Sequence, residues 1–239
     1  FDISFDRDRI YVAAQRAEYC VMDDWEAQRG VILVFDYDLN KIDELEPNLS
    51  LRDLHQIYAH EDRLWVAATG DNVVGIYDGN TWEKWHPFGP AKDPNHPDEH
   101  HINSIFIDGE RIYLVGHSAD RGQGHVFRLS DKIHETSIDM GRGSHNLWPA
   151  NGVLYTLSSA SGEIISTGGD RYPVYIGSFV RGAAITEDYA YFGVSWNTHR
   201  SKRNRSNCMV VRMDKQDRQR FYFGIRGYEM VHDIRAPGR

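Results

Sequence analysis

The sequence predicts an all-β fold, a β-propeller of five four-stranded blades, and three observations carry that prediction. A turn followed by an aromatic strand recurs five times, the recurrences are spaced like propeller blades, and no amphipathic helix of useful length occurs. The recurring segments are RDRIYVAA (7–14), EDRLWVAA (61–68), GERIYLVG (109–116), NGVLYTLS (151–158) and EDYAYFGV (187–194). Aligning Ile10, Leu64, Ile112, Leu154 and Ala190 gives spacings of 54, 48, 42 and 36 residues. These bracket the roughly 40–50 residues of a four-stranded blade, with loop insertions between constant strands. Alternating apolar residues broken by polar turns, as in LWVA and VVGIY, mark hairpins rather than helices.

Each repeat continues with a third strand, at 31–36, 73–78, 125–129, 163–166 and 207–213. A more polar fourth strand follows at 41–45, 81–85, 133–138, 171–176 and 219–223. The nearest approach to a helix, 39–54, is interrupted by Pro47. Residues 228–236, YEMVHDIRA, read as a leftover innermost strand that closes the fold against the N-terminal segment; a missing sixth blade is the alternative. The whole chain, 1–239, is expected to be one domain, which all-β folds of this size commonly are. Two connections are long, 15–30 with Tyr19, Asp23, Asp24, Trp25 and Glu26, and 196–206 with four basic residues. Long loops in compact folds are more often functional than idle.

The segment that opens each hairpin carries the candidate site. DLHQI, GSHNL and MVHDI place His55, His145 and His232 in one register, with Arg181 in blade five and Asn103 in blade three. His101 lies two residues before Asn103 and is expected on the same strand face, with His100 opposite. In a propeller the innermost strands line the axis, so one register repeated around the blades would converge. Four imidazoles there suit Fe, Cu, Zn or Ni better than Ca or Mg. Asp53 and Asp233, with Glu99 and Glu229, are candidates to orient the rings, and Asp53, Asp233 and Arg181 are the expected catalytic set. Arg181 would clamp a carboxylate or phosphate. Asn103, Trp196, Asn197, His199, Arg200 and Arg203 are expected to contact substrate, the basic run drawing an anion to the site. A metal-free ligand pocket and a scaffolding role for the same register, bonding backbone between blades, stay open beside this reading. The string DPNHPDEHH (93–101) is a stiff loop, with His96, Asp98 and His100 expected to be exposed rather than ligating.

Composition narrows the function classes. At 41% hydrophobic and 12% aromatic the chain can bury a sizeable core. No apolar run approaches the ~18 residues of a membrane span. A net charge of −8 argues against general nucleic-acid binding. Two distant cysteines make neither a disulfide framework nor a zinc site, and the low cysteine count points to the cytoplasm, a removed leader being the alternative. The glycine-rich stretch 116–124 lacks the lysine and the strand-to-helix setting of a phosphate loop.

The blade openings DLHQI, HINSI, SHNL and VRGAAI, together with RLWVAATGDNVVGIYD, resemble an uncharacterised group of bacterial β-propellers with histidine-bearing blade starts. A more distant likeness is to carotenoid-cleavage oxygenases and selenium-binding proteins, propellers that hold a metal on axial histidines. That likeness implies His55, His101, His145 and His232 as a metal-binding set. The expectation is a metal-dependent enzyme acting on a small anionic substrate, with a non-catalytic ligand-binding propeller or a protein–protein scaffold as alternatives.

Overall fold

The structure is a computed structural model that describes residues 2–15, 29–93, 98–118, 121–141, 143–198, 207–226 and 230–236. Its strands form five antiparallel sheets of four, each running in chain order. The first comprises β1 (Asp2–Phe5), β2 (Ile10–Gln15), β3 (Gly30–Phe35) and β4 (Lys41–Leu45). The second holds β5 (Leu54–His60), β6 (Arg63–Ala68), β7 (Val73–Tyr77) and β8 (Trp82–Trp85). In the third are β9 (Ser104–Asp108), β10 (Arg111–Ser118), β11 (Arg121–Arg128) and β12 (His134–Asp139). The fourth contains β13 (Ser144–Ala150), β14 (Val153–Ser158), β15 (Glu163–Ser166) and β16 (Arg171–Pro173). The fifth contains β17 (Phe179–Ile185), β18 (Tyr189–Ser195), β19 (Cys208–Asp214) and β20 (Arg220–Ile225). Among the described residues the only helical turn is 3-10, at Thr69–Asp71, and no helix is long and apolar enough to cross a membrane.

The chain divides into two compact units, Phe1–Ala119 with Gly124–Ser137, and Asp120–Gln123 with Ile138–Arg239. In the first unit, β6 shows why the recurring aromatic strand dominates the sequence. Its apolar residues are buried on both faces. Leu64, Val66 and Ala68 pack with Ile32, Val34 and Ile57, whereas Trp65 and Ala67 pack with Ile105, Leu114 and Phe127. Strand alternation thus feeds two cores from one segment. In the second unit Leu157, Ile164, Phe192, Val194 and Val211 form the corresponding core.

Neighbouring blades within each unit are tied by a side chain one position after the histidine register. The Asp2 carboxylate accepts from Ile57 N at 3.0 Å, Gln56 Oε1 from Ile105 N at 2.6 Å, and Asn146 Oδ1 from Gly182 N at 2.8 Å. Each tie satisfies a buried backbone donor that would otherwise be costly. Scaffolding therefore falls to the residue after the histidine register at these positions.

The expected strand at 228–236 is not formed: residues 227–229 lie outside the described residues, and 230–236 carry no strand. Side chains hold this segment instead of a ladder. Asn146 Nδ2 donates to Asp233 Oδ1 at 3.0 Å, and Val231 N donates to Ser195 Oγ at 3.2 Å. Gly182 (φ +84) and Gly193 let it approach, since a Cβ at either would meet Asp233 backbone or the Val231 side chain below 3 Å.

Candidate functional site

The first strands of blades two, four and five each carry a β-bulge, where two residues face one on the neighbouring strand. The bulges fall at His55, at Asn146 beside His145, and at Arg181–Gly182. A bulge re-aims side chains at the point where pairing breaks. In both histidine bulges the imidazole turns back onto its own chain. His55 Nδ1 lies 3.2 Å from Asp53 O, and His145 Nδ1 lies 2.9 Å from Gly143 O. A carbonyl only accepts, so Nδ1 carries the proton in each neutral ring and Nε2 holds the lone pair.

In the first unit three imidazoles form a chain. The His101 ring meets His55 edge-on at 5.1 Å and His117 edge-on at 5.7 Å. Its Nδ1 lies 2.9 Å from the Asp98 carboxylate, with both side chains about one-third exposed. His117 Nε2 sits 2.7 Å from Asn103 Nδ2, and Asn103 is itself buried. Asp53 lies beside His55, its Oδ1 accepting from Gln15 Nε2 at 3.0 Å.

Two sequence expectations need correction here. His101 is not on a strand: β9 begins at Ser104, and His101 has φ +44, so two-residue alternation does not apply to it. A left-handed backbone is rare for a non-glycine residue, and here it accompanies a ring that meets His55 edge-on. Asp98 is exposed, as expected, and its carboxylate pairs with that ring, while His96 lies outside the described residues. His117 was not singled out by the sequence at all. His100, expected to be exposed, is instead partly buried, its ring stacked on Phe88 at 4.4 Å.

In the second unit His145 Nδ1 also lies 2.8 Å from Ser159 Oγ, and its ring packs edge-on to Phe179 at 5.7 Å. Arg181 and His232 are half-buried. Both carboxylate oxygens of Asp233 are engaged, one by Asn146 and the other by Arg235 Nε at 2.8 Å, and its side chain is 4% exposed. That bonding ties the 230–236 segment to blade four. Trp196 and Asn197 are exposed, while His199, Arg200 and Arg203 lie outside the described residues.

The first unit holds a second group of histidines. His125 packs edge-on to Phe88 at 4.6 Å, and the Ser137 hydroxyl lies 3.0 Å from His125 Nδ1 and 3.1 Å from His134 Nε2. Burial, then the neighbouring His134 and His100, push the His125 pKa down to about 4. An unfolded histidine titrates near 6.5, so between about pH 6.5 and 4 the unfolded chain binds the extra proton. The stability His125 supports as a neutral ring is therefore complete above about pH 6.5 and declines as pH falls toward 4. His100, depressed chiefly by burial, acts in the same direction. The urea midpoint, followed from pH 7 to 4, should fall more steeply for the wild type than for His125→Gln; parallel curves would remove His125 from this account.

Among the described residues no group of three or more His, Cys, Asp or Glu side chains is placed to hold a metal ion. The three linked imidazoles meet edge to face.

No family model matches the chain, and no curated protein is matched by it. Solved structures do match. A catalytically inactive His-to-Ala variant of virginiamycin B lyase from Staphylococcus aureus with quinupristin is 13% identical, with TM-score 0.58, covering 96% of this chain and 86% of that one. A streptogramin B lyase is 13% identical, with TM-score 0.61, over 98% and 86%. A chain of the nidogen/laminin complex is 10% identical, with TM-score 0.65, over 98% and 83%. The fold class is the β-propeller, with five blades. At these identities the likeness establishes the fold alone, and the neighbours include both enzymes and binding propellers. The likeness to metal-holding propellers expected from the blade openings is not among these matches.

Proposed function

We propose that the protein is an enzyme carrying out acid–base chemistry on a small organic molecule, a lyase or hydrolase, with His101 as the proton-transferring group. The observation that carries this reading is the Asp98–His101 pair, on strained backbone and flanked by His55 and His117. A carboxylate on Nδ1 fixes the tautomer, leaves Nε2 as the base, and stabilises the imidazolium once the proton is taken. Backbone strain held in place by its surroundings is a feature of functional sites. His55, fixed through Asp53, and His117, fixed through Asn103, keep the His101 ring from rotating. The fold neighbours lend support, since a lyase on this fold is inactivated by loss of one histidine.

A resident Fe, Cu, Zn or Ni ion is the further proposal from the sequence. The described donors do not fit it, so no step is assigned to it. One experiment tests both. Purified protein, with and without prior chelation and elemental analysis, is incubated with a panel of lactones, esters and quinupristin, and products are followed by mass spectrometry. Turnover that survives chelation and is lost in His101→Gln is the expected result. Turnover unchanged in His101→Gln would overturn the assignment, and turnover that vanishes with a stoichiometric metal would restore the metal reading.

A further inference from the structure

A cleft of about 300 Å³ opens between blades four and five within the second unit, at the end of β13 away from His145. That volume lies at the lower end of the range for small-molecule sites. One wall is aromatic: Trp148 and Tyr155 stack at 5.9 Å with their planes 15° apart, and Tyr172 continues the surface. Phe192 faces them from β18.

The rim carries three cations and one carboxylate, Asp214. Lys215, Arg218 and Arg220 border the cleft, and among the described residues none of them pairs with a carboxylate. Lys215 Nζ donates to Thr186 O at 3.1 Å, and Arg220 donates to Pro173 O at 2.7 Å. Carbonyls satisfy donors but leave the positive charge in place. The Arg218 guanidinium lies 5.8 Å over the Tyr172 ring. Asp214, the carboxylate in the lining, is turned into its own hairpin, where Oδ1 accepts from Gln216 N at 2.8 Å. Elsewhere in this acidic chain arginines do find carboxylates, as Arg52 does with Asp71, Arg111 with Glu135 and Arg171 with Glu163. Three cations over an aromatic wall therefore call for an anion with a flat apolar body.

We propose that this cleft binds a small aromatic carboxylate, its ring against Trp148 and Tyr172 and its carboxylate on Lys215 and Arg218. The site is separate from the Asp98–His101 pair and does not depend on the reading given to that pair.

Titration calorimetry with indole-3-acetate, indole-3-acetamide and acetate tests it on the full chain. The expected result is saturable one-site binding of indole-3-acetate that weakens with added salt. The uncharged amide and the ringless acetate should bind about tenfold more weakly or worse, a difference of ~1.4 kcal/mol. The double variant Lys215→Gln/Arg218→Gln should lose a similar factor while keeping the wild-type unfolding transition, because both side chains project from a hairpin. His101→Gln should bind like the wild type. No saturable binding of indole-3-acetate, equal affinity for the amide, or undiminished affinity in the double variant would each overturn the proposal.

Discussion

Gly162→Ala should destabilise the protein far more than Gly152→Ala, although both glycines have nearly the same backbone, φ +75 and +76. At Gly152 nothing lies within 4 Å of an added Cβ. Its substitution should cost only the strain of placing an L-residue in the left-handed region, about 1–2 kcal/mol. At Gly162 the Cβ would sit 2.1 Å from Tyr175 O. That oxygen cannot move aside cheaply, because the amides of Val174 and Tyr175 donate back to Gly162 O at 2.9 and 3.0 Å. Relieving the clash means opening the contact that binds the end of blade four to its second hairpin. Overpacking of this kind adds about 1–3 kcal/mol or more. Urea unfolding of both variants beside the wild type measures the difference, and equal losses would show that Tyr175 gives way freely.

The same contrast explains what was legible in the sequence. The sheets were, because each blade's second strand combines a turn, alternating residues and an aromatic, and β6 fills two cores at once. The shared register of His55, Asn103, His145 and Arg181 was legible too, because it counts outward from apolar residues that must be buried, but the bulges in blades two, four and five were not. His101 was misplaced for a physical reason. Its φ of +44 lies in a stretch that forms no strand, and no periodicity encodes such a stretch. His117 could have been found. Counting along the hairpin from Asp108 opposite Arg111, through Ser104 opposite Val115, sets His117 against the stretch 101–103. Gly116 then allows the close approach, since a Cβ there would lie 2.9 Å from His100 O. The tie formed by Asp233 was illegible because it depends on Asn146, 87 residues away.

Asp98→Asn should lower kcat/KM by about 10²–10⁴ on whatever substrate the panel identifies, the range over which a positioned proton-transfer group contributes. Asp98 is a positioning residue, and the effect runs through the His101 tautomer. A carboxylate can only accept, so it holds the proton on Nδ1 and the lone pair on Nε2. An amide of the same shape can present its NH₂ to Nδ1 instead, which moves the proton to Nε2 and leaves the reacting nitrogen with nothing to accept a proton. The packing changes little, because Asp98 is one-third exposed and its substitution leaves no cavity. Nitrogen-15 spectra of the imidazole separate this from simple loss of fold. The wild type should show His101 protonated at Nδ1, and Asp98→Asn should shift the proton toward Nε2 while the urea midpoint stays within about 0.5 kcal/mol of the wild type. A wild-type His101 already protonated at Nε2 would remove the basis for its role. So would an Asp98→Asn variant that keeps full activity, because a general base whose tautomer is indifferent to its carboxylate is not held by it.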